Sequence, residues 1–302
     1  MALKLTILGS NSAIPTASRF PTSQLVDVNQ SYYLVDCGEG AQMQLRKYRI
    51  KMQRIKAIFI SHMHGDHYFG LIGLLNTMHL LGRETELTVY GPDGLEPIMR
   101  SMLNEAETKL RYSLTFVSIT GKIGEIYEDN TVSVKTFPLN HRIPCNGFRF
   151  DELPKKRRIK KSVIDLYHVP VEQMPKLKDG SDLVLENGEV IPNEKLTEPP
   201  KKSFSFAFCS DTCYDERIIP YIQHVDLLYH EATFLNDMKP RAKQTFHSTA
   251  EEAATIAQKA ETKRLLIGHF SARYTDLEGH LIESRAVFKN TDLAIEGEVF
   301  SA

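Results

Sequence analysis

Apolar residues along this chain fall into two rhythms. Short apolar, β-branched or aromatic runs recur from end to end, at residues 3–8, 32–35, 57–60, 87–90, 132–137, 204–208, 227–229 and 265–267. Their length and their polar borders predict strands. Longer segments with helical spacing lie between some of them, at residues 69–81, 95–110, 215–223 and 250–260. The last opens with Ser248-Thr249-Ala250-Glu251. That order predicts a capping box in which Ser248 and Glu251 satisfy exposed N–H groups reciprocally. Strands mixed with helices in both halves predict α/β or α+β layering.

The middle breaks the rhythm. Residues 151–203 hold several prolines, few large apolar residues and the run Lys155-Lys156-Arg157-Arg158-Ile159-Lys160-Lys161. The segment reads as an insertion into a single 302-residue domain, with a hairpin over residues 183–191 closed by Asn187-Gly188. Its cationic run is either a solvated loop or a phosphate-binding patch for a polyanion.

Composition adds boundaries. With 42% hydrophobic and 25% charged residues the chain is that of a globular protein. A net charge of −1 argues neither for nor against nucleic acid, because local patches can hide in it. No apolar run reaches membrane-spanning length, and the first residues read as a strand rather than a signal peptide; a cytoplasmic protein is expected. Four cysteines (Cys37, Cys145, Cys209, Cys213) are too few for a disulfide framework. Buried free thiols are expected, with a thiolate metal ligand beside Asp211 as the rival reading.

Chemistry concentrates at Ser61-His62-Met63-His64-Gly65-Asp66-His67, directly after an apolar run. Residues i and i+2 of an extended segment face one way, so His62 and His64 can reach one metal. A turn at Gly65 would let Asp66 and His67 face a second. A surface loop or a helix cap at Asp66 would explain less. Two metals need more donors than these four. His141, Asp211 and His269 each follow an apolar strand-like run, the placement that His62 has.

At these residues the chain resembles the metallo-β-lactamase fold superfamily, and within it the ribonuclease Z family of tRNA 3′-processing endonucleases. The resemblance runs nearly end to end. It rests on residues 34–40, the His62–His67 cluster, Leu139-Asn140-His141, Ser210-Asp211-Thr212, Tyr229-His230-Glu231-Ala232-Thr233-Phe234, Phe246-His247-Ser248-Thr249-Ala250 and Gly268-His269-Phe270-Ser271-Ala272-Arg273-Tyr274. It implies a four-layer αββα sandwich carrying an inserted arm at 151–203, and two zinc ions, manganese being chemically compatible. His62, His64 and His141 would hold one ion, Asp66, His67 and His269 the other, with Asp211 bridging. Asp36 would orient the cluster, or else simply cap the next helix. Asp66 would take the proton of the attacking water, and His247 would donate one to the leaving 3′ oxygen unless it only caps a helix. Precursor tRNA is the implied partner, with Lys155, Lys156, Arg157, Arg158, Lys160, Lys161 and Arg273 as candidate RNA contacts, and the family implies a homodimer. Two departures stand out: the arm's tip lacks the family's Gly-Pro pair, and Ser18-Arg19-Phe20-Pro21 has Phe20 where asparagine is expected. A phosphodiesterase for small or cyclic nucleotides, and a non-catalytic RNA-binding protein, are the rival readings.

Overall fold

In the computed structural model, which describes residues 3–301, each of the eight apolar runs becomes a strand. The strands are β1 (Lys4–Gly9), β2 (Ser23–Val28), β3 (Ser31–Val35), β4 (Ile55–Phe59), β5 (Leu87–Gly91), β6 (Leu114–Ser118), β7 (Gly124–Glu128), β8 (Val132–Leu139) and β9 (Cys145–Glu152). After them come β10 (Arg158–Ile159), β11 (Leu183–Val184), β12 (Val190–Ile191), β13 (Thr197–Glu198), β14 (Ser205–Cys209), β15 (Leu227–Glu231), β16 (Leu265–Gly268), β17 (Thr291–Leu293) and β18 (Val299–Ser301). Two seven-stranded sheets result, ordered β18-β1-β2-β3-β4-β5-β6 and β17-β16-β15-β14-β9-β8-β7. Each is antiparallel at one end and parallel at the other: β3 to β6 run parallel in the first, β14 to β17 in the second.

Period-two alternation sets the layers. Leu5, Val26, Tyr33, Phe59, Phe148, Phe206 and Tyr229 pack into one core between the sheets. Their neighbours Leu25, Leu34 and Ile58 face the other way, onto helices Ala41–Lys47 and Leu71–Leu80. Ala207, Cys209 and Leu228 likewise face the helix Ala250–Lys259. Strands covered on both sides must be apolar throughout, which is why their sequences read as unbroken runs. At the centre Phe59 stacks on Tyr90 with ring centroids 5.1 Å apart and meets Phe148 and Phe150 at 5.5 Å. Burying one such ring stabilises by about 2–3 kcal/mol. The expected αββα sandwich is thus the observed fold.

The predicted capping box forms one residue later than expected. Thr249 is the N-cap, accepting from the Glu252 N–H while Glu252 accepts from Thr249. Ser248 is buried and donates instead to the Thr212 carbonyl, 2.7 Å away. The chain divides at the Asp151–Glu152 and Ser203–Phe204 junctions into two compact units. Within the smaller, β11 and β12 make the predicted hairpin, and Leu177, Leu183 and Leu196 form a core of its own. No helix among the described residues is long and apolar enough to cross a membrane.

Candidate metal centre

Parallel order brings several strand ends to one edge. In β14, β15 and β16, Cys209 pairs with His230, and His230 with Ile267. The residues just beyond, Asp211 and His269, therefore lie beside Glu231, the last residue of β15. On the other sheet Val35 pairs with Phe59, which sets Asp36 beside Ser61. The Ser61 hydroxyl lies 3.0 Å from that of Ser210 and links the two sheets.

After β4 the chain stays extended through His64 (φ −78°, ψ 141°) and then turns into the short helix Gly65–Tyr68. His62 Nε2 accordingly lies 3.0 Å from His64 Nδ1, and His141 Nε2 3.2 Å from the same atom. Asp211 Oδ2 closes this group, 3.5 Å from His62 Nε2 and 3.8 Å from His141 Nε2. The other oxygen of Asp211 belongs to a second group: Oδ1 is 3.4 Å from His67 Nε2 and 3.1 Å from His269 Nε2. Asp66 Oδ2 is 3.4 Å from both of those nitrogens.

These distances suit a cation better than hydrogen bonds. His67 Nε2 and Asp211 Oδ1 are buried with no hydrogen-bond partner. Leaving a buried polar atom unpaired costs about 1–3 kcal/mol, and here two such atoms face one point. The donor set could hold divalent metal, and imidazoles with carboxylates and no thiolate suit zinc or manganese. All four cysteines are free thiols; Cys37, Cys145 and Cys209 are buried as expected, whereas Cys213 is only half-buried. Cys145 Sγ sits 3.5 Å from His62 Nδ1, the nitrogen facing away from the cluster.

His67, His141 and His269 are held from behind, as metal-binding histidines usually are. Asp36 Oδ2 is 2.7 Å from His67 Nδ1, and Asp36 also accepts from the Ser61 N–H and hydroxyl. It caps no helix, since the next one begins after Gly40. The Phe246 carbonyl is 2.9 Å from His141 Nδ1, and Thr233 Oγ1 is 3.0 Å from His269 Nδ1. The Ala13 N–H donates to Asp66 Oδ2 at 2.7 Å. Ala13, Asp36, Phe246 and His269 all have φ between 54° and 60°, a left-handed strain that tends to gather at functional sites.

Electrostatics follow the geometry. Burial, then the adjacent His67, pushes the His62 imidazole down to about 3. Burial likewise lowers His64 and His141. All three are thus neutral, with lone pairs free. Asp211 lies well below the usual carboxylate range: burial opposes this, but His269, His67 and His62 outweigh it. His67 is raised well above the ordinary imidazole value against its own burial, because Asp211, Asp66 and Asp36 surround it. Three carboxylates around one buried imidazole are an excess of negative charge that a bound cation would offset.

Sequence reasoning missed Glu231. It is fully buried and accepts from the Thr212 and Thr233 N–H groups and the Thr233 hydroxyl. Its Oε1 is also 2.8 Å from His247 Nδ1. A carboxylate ending an apolar strand was visible in Leu227-Leu228-Tyr229-His230-Glu231, the same signal that marked Asp211. The His247 side chain caps no helix; only its backbone N–H does, donating to the Ala242 carbonyl at 2.9 Å. Burial would lower its imidazole, but Glu231 and then Asp211 raise it to about 9. A cavity of about 460 Å³ opens over the two groups, bordered by Ala13, Glu39, Phe69, Arg142 and Thr245.

All but one of the expected RNA-contacting cations have local partners. Lys155 pairs with Glu152, Lys156 with Asp179 and Arg158 with Glu198. Arg157 donates to Thr197 Oγ1, and Lys160 to the Glu194 and Lys195 carbonyls. Lys161 is exposed at the start of the helix Lys161–Leu166. Arg273 lies 5.2 Å over the Phe234 ring.

Comparison with known proteins agrees with this architecture. A family model described as Anti-Pycsar protein Apyc1 matches residues 3–152. Ribonuclease Z of Bacteroides thetaiotaomicron is 48% identical over 294 residues, covering 97% of this chain and 93% of that protein. Ribonuclease Z of Porphyromonas gingivalis is 44% identical over 296 residues, covering 98% and 97%. The crystal structure of human tRNase Z, short form, superposes with a TM-score of 0.70 at 27% identity, covering 99% of this chain and 98% of that one. Full-length identity at this level means that the chain belongs to the ribonuclease Z family, within the metallo-β-lactamase fold.

Proposed function

We propose that this chain is a metal-dependent endoribonuclease that removes 3′ trailers from tRNA precursors, leaving a 3′-hydroxyl on the tRNA and a 5′-phosphate on the trailer. The observation that carries the reading is the pair of donor groups joined through the two oxygens of Asp211, in a chain 44–48% identical to proteins named ribonuclease Z.

In this reading His62, His64 and His141 would hold one zinc ion and Asp66, His67 and His269 a second, with an oxygen of Asp211 available to each group. Bound there, the two ions would supply Lewis acidity that acidifies water and neutralises charge on the phosphate. The protein's own groups do the rest. Asp66, fixed by the Ala13 N–H, accepts the proton of the attacking water. His247, whose Nδ1 is engaged by Glu231, turns its Nε2 to the cavity and protonates the departing 3′ oxygen. Asp36 keeps the His67 ring in the orientation that its metal requires.

The test is cleavage of a trailer-bearing tRNA precursor by zinc-loaded protein, with both new ends mapped. Cutting at the base of the acceptor stem is expected; an intact precursor under all metal conditions would refute the substrate. Residues 151–203 act as the RNA-gripping arm in this scheme. Surface ion pairs such as Lys156–Asp179 and Arg158–Glu198 contribute only about 0–1 kcal/mol, so these cations can exchange carboxylates for phosphates. Asp151 and Ser205 face each other across antiparallel strands, and a short turn can therefore replace the arm. That deletion should abolish precursor cleavage while sparing a small chromogenic diester. If precursor cleavage survives, the arm has no such role, and the small-phosphodiesterase reading gains.

The active form in this proposal is a cytoplasmic homodimer. Met43, Phe69, Leu80 and Leu81 are more than half exposed on or beside helices Ala41–Lys47 and Leu71–Leu80, which pack on one another. We take the exposed apolar side chains on this pair of packed helices as the surface through which two copies meet. Light scattering should give twice the chain mass of 34.4 kDa; a monomer at micromolar concentration would contradict the assembly.

A further inference from the structure

Arg142 follows His141 in a loop whose backbone is pinned on both sides. The Asn140 N–H donates to Thr212 Oγ1 at 3.1 Å, and the Cys213 N–H to the Asn140 carbonyl at 2.9 Å. Beyond Arg142, the Asn146 N–H donates to the Ser61 carbonyl at 3.0 Å. From this anchored loop the exposed guanidinium borders the cavity, with Nη2 3.1 Å from His64 Nε2. No ion pair of Arg142 with a carboxylate is present among the described residues.

That contact is chemically incomplete. His64 turns Nδ1 toward His62 and His141, so in the metal-binding tautomer the ring hydrogen sits on Nε2. A guanidinium only donates. Two donors 3.1 Å apart satisfy nothing in each other. Both are satisfied when one anionic oxygen lies between them, and a planar charged fork beside an N–H suits a phosphate oxygen.

Building on the metallonuclease reading, we infer that Arg142 and the Nε2–H of His64 jointly hold a phosphate oxygen of the RNA backbone next to the phosphodiester being cut, which makes Arg142 a substrate-binding residue of this chain. The Nε2–H points away from the His62–His64–His141 group, so the oxygen it meets belongs to a flanking phosphate, and fixing that phosphate sets the register of the strand over the donors. Its exposure makes the role separable from folding, since surface substitutions are usually near neutral in stability.

The experiment measures inorganic phosphate binding to the zinc-loaded protein by calorimetry, metal content by elemental analysis, and precursor cleavage, for wild type, Arg142→Ala and Arg142→Lys. Arg142→Ala should keep its metal yet bind phosphate about 10- to 100-fold more weakly, the usual loss for a hydrogen bond to a charged group. Its KM for precursor should rise comparably, with Arg142→Lys recovering part of both. Unchanged phosphate affinity in Arg142→Ala overturns the inference. So does loss of metal, which would mean that Arg142 merely steadies His64. If the wild type binds phosphate and the alanine variant does not, but neither cuts precursor tRNA, the phosphate site stands and the substrate reading falls.

Discussion

Replacing Asp211 with alanine should empty both metal positions together, whereas replacing any single histidine should weaken chiefly its own group. The difference lies in the two oxygens. Oδ2 lies 3.5 Å and 3.8 Å from His62 and His141, and Oδ1 lies 3.4 Å and 3.1 Å from His67 and His269. With the carboxylate gone, each group keeps three donors but loses the shared negative charge that lets two cations lie close together. Asp211→Asn should behave almost as badly, because it keeps volume but loses charge. Cleavage should drop at least about a thousandfold, since several kcal/mol of charge stabilisation disappears with the ions. Elemental analysis decides the matter. An Asp211→Ala protein that still carries two zinc ions per chain would mean that the carboxylate does not join the sites.

The strands were legible because burial on both faces demands apolar residues throughout, and all eight apolar runs became strands. Those not anticipated carry polar interruptions. Strand β2 holds Gln24, buried with its amide donating to Thr22 Oγ1 at 3.1 Å, and Asp27. Strands β6 and β7 are only half-buried and mix Thr and Glu with their apolar residues. Helices Lys239–Thr245 and Glu278–Val287 were overlooked for a related reason: each buries only one or two side chains, too few to print a helical period. The capping box was misplaced because Ser248-Thr249-Ala250-Glu251-Glu252 fits two registers. The buried bond from Ser248 to the Thr212 carbonyl removes Ser248 from the competition.

The candidate metal donors were legible for a different reason. Strand ends that share an edge carry their next residues to one place, so an apolar run followed by His or Asp is a spatial statement as well as a local one. Glu231 obeys that rule and was missed although it lies two residues past the 227–229 run, because the strand continues through His230 to Glu231 itself. Partners that act through the backbone left no trace in side-chain identity. The Phe246 carbonyl behind His141 and the Ala13 N–H on Asp66 depend on left-handed turns at residues whose types do not favour them.

Removing His247 should slow cleavage by about 10²- to 10⁴-fold, the usual worth of a general acid, with both metals retained. Glu231→Gln should cost nearly as much, because a neutral amide cannot replace the charge that most strongly raises His247 against its burial. The double variant should be little worse than either single one, as groups acting as a unit are far from additive. The sign of the pH effect separates this from a structural role. An acid serves in its protonated form, below its pKa. With Glu231 in place His247 titrates near 9 and is charged at neutral pH; without Glu231 its pKa falls. Single-turnover cleavage by Glu231→Gln should therefore recover as the pH is lowered from 8 to 6 (about two units), where the wild type gains nothing. A flat deficit across that range would show that Glu231 matters only for packing Thr212 and Thr233. Loss of zinc from His247→Ala would recast His247 as a metal ligand, a placement its nearness to His269, with ring centroids 5.5 Å apart, makes worth measuring.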